Sequence, residues 1–112
     1  MTTMMGVSLT GREVVFIGGG AVAARRMRRL LGEGALITVV APELCADVRT
    51  LVDEGAVRWE ARVACSADVD RAWFVHTATG DRATDAEVTG WCESRRILCV
   101  NTSAGAHGSA RL

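Results

Sequence analysis

Apolar residues in this chain follow two rhythms in turn. Short unbroken runs such as Val14-Val15-Phe16-Ile17, Leu36-Ile37-Thr38-Val39-Val40 and Trp73-Phe74-Val75 alternate with longer segments whose apolar positions fall three and four apart. The first rhythm suits strands buried on both faces, and the second suits helices buried on one side. Strands are therefore expected at residues 13–17, 36–40, 73–78 and 97–100. A shorter one near a sheet edge is expected where Val57, Trp59 and Ala61 alternate with Arg58, Glu60 and Arg62. Helices are expected at residues 21–32, 43–54 and 83–95. Their inner faces carry Ala23, Met27, Leu30 and Leu31, then Leu44, Val48, Leu51 and Val52, then Val88, Trp91 and Cys92. Gly34 and Gly55 end the first two helices, and Pro42 closes the second strand. Strands alternating with helices at this period predict an α/β fold: a mainly parallel five-stranded sheet in three layers, helices on both faces. Residues 1–101 form that domain. Residues 102–112 are small, polar and without periodicity, and read as an irregular tail or a severed connection.

The first strand runs straight into Gly18-Gly19-Gly20 and then into Ala21-Val22-Ala23-Ala24-Arg25-Arg26. A strand, a tight turn and a helix N-terminus in that order can cradle a pyrophosphate, as in Rossmann-type folds. Gly18 makes the turn and Gly20 lets the backbone approach the phosphates. Ala23 takes the third position, where a small side chain lets helix and strand pack closely. A glycine-rich turn with no ligand is the competing reading.

Composition narrows the function classes. At 112 residues the chain is long enough for a real core. Thirteen basic residues, every one arginine, balance thirteen acidic ones, so the formal charge of zero points away from nucleic acid and anionic membranes. Cys45, Cys65, Cys92 and Cys99 show no C-x-x-C spacing and no histidine at ligand intervals; reduced thiols are expected, and no metal site. No basic region precedes an apolar leader, and no apolar run is long enough to span a bilayer, so a cytoplasmic protein is expected. Trp59, Trp73 and Trp91 fall on three different elements, which suits packing rather than base stacking. His76, inside a strand, is either a neutral inward-pointing histidine with a backbone hydrogen bond or a group reaching a cofactor edge. His107 is the one histidine in the tail.

Five stretches together resemble one family. They are Leu9-Thr10-Gly11-Arg12, the glycine run to Arg26, Thr38-Val39-Val40-Ala41-Pro42-Glu43-Leu44, Gly55-Ala56-Val57-Arg58-Trp59 and Arg95-Arg96-Ile97. This combination resembles the N-terminal NAD-binding domain of siroheme synthase, the precorrin-2 dehydrogenase/sirohydrochlorin ferrochelatase family. The resemblance implies NAD-dependent oxidation of precorrin-2 to sirohydrochlorin, with iron insertion in many members, and a homodimer in the full-length form. It implies that Gly18, Gly19, Gly20, Ala21 and Val22 hold the pyrophosphate, and that Pro42 and Glu43 lie on the adenosine side. Thr79, Gly80 and Asp81 would border the nicotinamide, and Arg25 and Arg26 match a basic pair that would meet the tetrapyrrole carboxylates. Arg28 and Arg29 are left to solvent. Two departures stand out. No acidic residue ends the second strand to take the ribose 2′-OH, and no arginine follows it for a 2′-phosphate, so NAD is only modestly preferred over NADP. The family aspartate after the last strand is matched by Ser103, a poor base alone, or by Ala104 if Asn101 is taken as the family asparagine. The alternative function is a dinucleotide-binding module without chemistry of its own, a remnant or redox-sensing domain.

Overall fold

The computed structural model describes residues 1–112. The elements in chain order are β1 (Glu13–Ile17), α1 (Ala21–Gly32), β2 (Leu36–Val40), α2 (Ala46–Asp53) and β3 (Val57–Glu60), followed by β4 (Phe74–Thr77), α3 (Arg82–Arg95) and β5 (Leu98–Val100). Single 3₁₀ turns lie at Ser66–Val69 and Gly105–His107. All five strands are parallel, in the order β3-β2-β1-β4-β5. The chain builds outward from β1 through β2 to β3, then returns to the other side of β1 for β4 and β5. The five-stranded three-layer architecture expected from the pattern is the one observed.

Strand side chains alternate, so each strand feeds both layers. Val14 and Phe16 join Ile37, Val39 and Val57 under α1 and α2, whose Ala23, Met27, Leu30, Val48 and Leu51 complete that core. Val15, Ile17, Val75 and Cys99 face the other way and meet Val69, Val88 and Cys92 of the first 3₁₀ turn and α3. The second layer is the thinner one, covered by a single helix and one turn. All four cysteines carry free thiols.

Three local expectations shift. The second helix starts at Ala46, three residues later than its periodicity suggested, because the stretch from Pro42 is spent on a turn and Cys45 stays extended at the helix cap. Leu44 still packs against the larger core from that turn. Trp73 precedes β4 rather than opening it. Its backbone N–H donates to Glu13 O at 2.9 Å, yet its ring is 60% exposed with the Arg12 guanidinium 4.5 Å above it. Packing in the sheet therefore does not account for this tryptophan. Finally, residues 102–112 lack regular structure beyond one turn but are docked: Ala110 N–H donates to Cys99 O at 3.0 Å, and Cys99 N–H donates to Ser109 Oγ at 2.9 Å. They run along the edge of β5 that no strand covers.

Candidate functional site

The sheet reverses its winding between β1 and β4, and a crevice opens there, at the carboxyl ends of the strands. Ligands of open α/β sheets bind at such a point. A cleft of about 560 Å³ runs from Val40–Cys45 past Gly18, Gly19 and Gly20 to Ala78, Thr79 and Thr84.

The glycine turn is shaped by two different constraints. Gly18 has φ +102°, and a Cβ there would lie 2.4 Å from the carbonyl of Ala78, so no other residue fits. A Cβ on Gly20 would meet only Ala78 O, at an ordinary 3.7 Å. The fold itself does not require glycine at that position. What Gly20 keeps clear is the space above the helix N-terminus. No side chain caps α1, and its first closing bond is Ala24 N–H to Gly20 O at 3.2 Å. The preceding N–H groups of Ala21, Val22 and Ala23 lack helical partners and attract an anion, as helix N-termini do. A pyrophosphate fits this cradle.

On the β2 side the turn is held by backbone. Gly18 N–H donates to Val40 O at 3.0 Å, Cys45 N–H to Gly19 O at 2.9 Å, and the indole N–H of Trp59 to Ala41 O at 2.8 Å. Pro42 and Glu43 line the cleft, as do Val63 and Ala64. The neighbouring cation, Arg62, is already engaged: its two terminal nitrogens reach the Asp68 carboxylate at 2.7 and 2.5 Å. That bidentate pair holds Asp68 below the usual carboxylate range.

On the β4 side the site is built from side chains. Thr79 lines the cleft and donates through its hydroxyl to Asp85 Oδ1 at 2.5 Å. Ser103 donates to the other oxygen of the same carboxylate. Ser103 is itself placed by its N–H on Asn101 Oδ1 at 3.0 Å, while Asn101 Nδ2 donates to Thr89 Oγ1 at 3.0 Å, and Thr89 donates to Asp85 O at 2.8 Å. The network ties the turn after β4, the first turns of α3 and the turn after β5 into one unit. The residue at its centre, Asp85, has none of its surface exposed and takes part in no ion pair. Sequence reasoning passed over it. The signal was present: Asp85 shares a helix face with Val88, Thr89 and Cys92, and an acid on an apolar face has a partner to find.

The other expected residues divide. Ala21 and Val22 are exposed on the first turn of α1, beside the cleft rather than in its lining. Gly80 shapes the turn with φ +76°, and Asp81 caps α3 by accepting from Thr84 N–H at 3.3 Å, so the Asp81 side chain faces its own helix. Arg25 is exposed. Arg26 turns inward instead, its guanidinium 2.7 Å from His76 Nε2 and 3.4 Å from Leu112 O. Because a guanidinium only donates, Nε2 accepts and Nδ1 carries the ring proton, buried without a partner. His76 is thus inward-pointing and neutral, held by Arg26 and stacked on Phe16 at 4.7 Å. Burial, then the Arg26 charge, push its pKa down to about 4. His107 is exposed in the tail turn.

Comparison with known proteins agrees with this geometry. A family model described as "Putative NAD(P)-binding" matches residues 5–111. A precorrin-2 dehydrogenase of Priestia megaterium is 38% identical over 103 residues, covering 92% of this chain and 50% of that protein. Its counterpart in Bacillus subtilis is 34% identical over 82 residues, covering 73% and 51%. A siroheme synthase of Photorhabdus laumondii is 39% identical over 92 residues, covering 82% of this chain but 20% of the longer protein. The solved structure of SirC, a precorrin-2 dehydrogenase, superposes with a TM-score of 0.80 and 31% identity, covering 100% of this chain and 54% of that one. The chain spans about half the length of the precorrin-2 dehydrogenases it matches. No helix is long and apolar enough to cross a membrane.

Proposed function

This chain belongs to the NAD(P)-binding family whose model covers residues 5–111, and from that premise we propose that it is the cofactor-binding part of an NAD-dependent precorrin-2 dehydrogenase. The observation that carries this reading is the whole-chain match to SirC, 31% identical over a fold that superposes throughout. A bare dinucleotide module needs only the glycine turn and its helix. Here the likeness extends to the turn after β2, to β3 and to the segment along β5.

Residues 1–101 act as the dinucleotide-binding unit. Gly18, Gly19 and Gly20, with the first N–H groups of α1, hold the pyrophosphate, and Pro42 and Glu43 border the adenosine. NAD is preferred over NADP because Arg62, the cation flanking that side of the cleft, is bound to Asp68 and unavailable to a 2′-phosphate. A nicotinamide held there would supply the hydride acceptor. Ser103 takes the proton the substrate loses at the same time, passing its own hydroxyl proton to the Asp85 carboxylate it already bonds. The serine at the family aspartate position thereby has a carboxylate behind it. Arg25, exposed on α1, is free to meet a substrate carboxylate, whereas Arg26 serves His76. Assembly as a homodimer belongs to the same proposal.

NADH formation from precorrin-2 and NAD under anaerobic conditions tests the activity. Dissociation constants for NAD and NADP test the preference. The half-length match favours one second reading, a dinucleotide-binding module that acts within a larger assembly. NAD binding without any NADH formation would select it.

A further inference from the structure

The cofactor side of the site contains a charge that the fold leaves uncompensated. Asp85 is fully buried in the first turn of α3, and its carboxylate is bonded only by the neutral hydroxyls of Thr79 and Ser103. Neutral hydroxyls bond to a carboxylate without cancelling its charge. None of the protein's five ion pairs includes Asp85. The arginines nearby are turned to other partners: Arg82 donates to Ser103 O at 3.3 Å, and Arg26 is bonded to His76. The negative charge is felt around it, raising the pKa of both His76 and Cys99 against the stronger effects that lower them. A buried carboxylate of this kind is costly to a fold that gains nothing from its charge. A neutral amide would keep one hydroxyl bond as acceptor and make the other as donor, without a buried charge.

Its position suggests what the charge is for. Thr79 both lines the cleft and donates to Asp85, so the carboxylate lies one hydroxyl behind the crevice wall. That wall is at the carboxyl end of β4. The glycine turn takes the phosphates and the β2 side takes the adenosine, which leaves the β4 side for the nicotinamide. The oxidised ring carries a positive charge and the reduced ring carries none.

We propose that Asp85 makes this site discriminate between the two redox forms of the cofactor, binding the oxidised, cationic nicotinamide in preference to the reduced one. The inference rests on the NAD reading above and not on precorrin-2 as substrate. Hydride arrival removes the ring charge that Asp85 attracts, so the reduced cofactor is held less tightly and leaves more readily.

Binding alone tests this. Calorimetry on the 112-residue chain gives the ratio of dissociation constants, NADH over NAD⁺, for the parent, for Asp85→Asn and for the double variant Asp85→Asn/Ser103→Asp. Two unit charges about 8 Å apart in a protein-like medium attract enough to change that ratio about thirtyfold. The ratio is expected to fall by about that factor in Asp85→Asn and to recover in the double variant, which returns a carboxylate to the same spot. A merely structural role for Asp85 would weaken both cofactors together and would not be rescued. Where Asp85→Asn fails to fold, Ser103→Arg sets a cation against the carboxylate from the solvent side, and the ratio must fall there too. A ratio unmoved in these variants overturns the proposal while leaving the NAD site intact. A parent that binds neither form overturns the cofactor reading and this inference with it.

Discussion

At the β1–α1 end of the crevice the protein presents backbone: three glycines, a set of N–H groups and nothing else. At the β4–β5 end it presents the Thr79 side chain, with Ser103, Asn101 and Thr89 behind it around the buried carboxylate of Asp85. The first end works by leaving atoms out and reads only the shape and charge of a phosphate. The second works by placing hydroxyls and a charge, and it can distinguish chemical states of what sits against it. An end made of backbone tolerates change in almost every property but volume. An end made of side chains keeps its shape under isosteric change and loses its chemistry.

The largest effect expected from breaking this contrast is at Gly18. Replacement by alanine adds an unfavourable φ to a direct collision with the Ala78 carbonyl, together on the order of 3 kcal/mol. A thermal midpoint lowered by well over 10 °C is the expected result, by about 4–8 °C for each kcal/mol in a domain of this size. A Gly18→Ala protein melting with the parent would show that the turn yields, contrary to its geometry.

Acid should expose the difference next. His76 titrates near 4 when folded, against 6.5 for the unperturbed side chain. Between those values the unfolded chain takes up a proton that the folded protein refuses. Stability is therefore complete above pH 6.5 and declines as the pH drops toward 4, by up to about 3 kcal/mol. Denaturant midpoints measured across that interval should fall with pH for the parent. A His76→Phe variant, which keeps the stack on Phe16, should show a flatter profile. Equal slopes for the two proteins would place the titrating group elsewhere.

Gly20→Val sharpens the comparison because it separates fold from ligand. The added Cβ meets Ala78 O at 3.7 Å, so the melting temperature should barely move. NAD affinity should drop by more than about tenfold, or ~1.4 kcal/mol, since the side chain occupies the approach to the helix N-terminus. Unchanged affinity would remove the phosphate-cradle reading. The smallest effect belongs to Asp81→Ala, which deletes the α3 cap on Thr84 N–H. A slight loss in midpoint with NAD binding retained is expected. Loss of binding instead would mean that Asp81 faces the cofactor.

Much of this was legible along the chain. The strand runs and helix spacings located all eight elements, and the glycine run located the phosphate end, because both signals are local. Hydrophobic periodicity is a property of adjacent residues, and a turn conformation belongs to the residues in it. The β4–β5 end was legible only in part. Thr79 and Ser103 stand out through resemblance, but the carboxylate that serves Ser103 does not follow the last strand. The partner is eighteen residues back, on the opening turn of α3. The resemblance pairs Arg26 with Arg25, yet helix geometry aims one at His76 and the other at solvent.

The sequence by itself determined the order of strands and helices, the helix-facing sides of the sheet and the place where a phosphate can approach. Each depends on forces acting over a few residues: burial of an apolar stripe, and backbone freedom at glycine. Only the tertiary structure decided that β4 returns to the far side of β1, opening the crevice at their junction. It alone brought Thr79, Asp85 and Ser103 from three segments onto one carboxylate. Hydrogen bonds between such distant segments leave no periodic trace, because which side chains meet is fixed by how helices and strands pack.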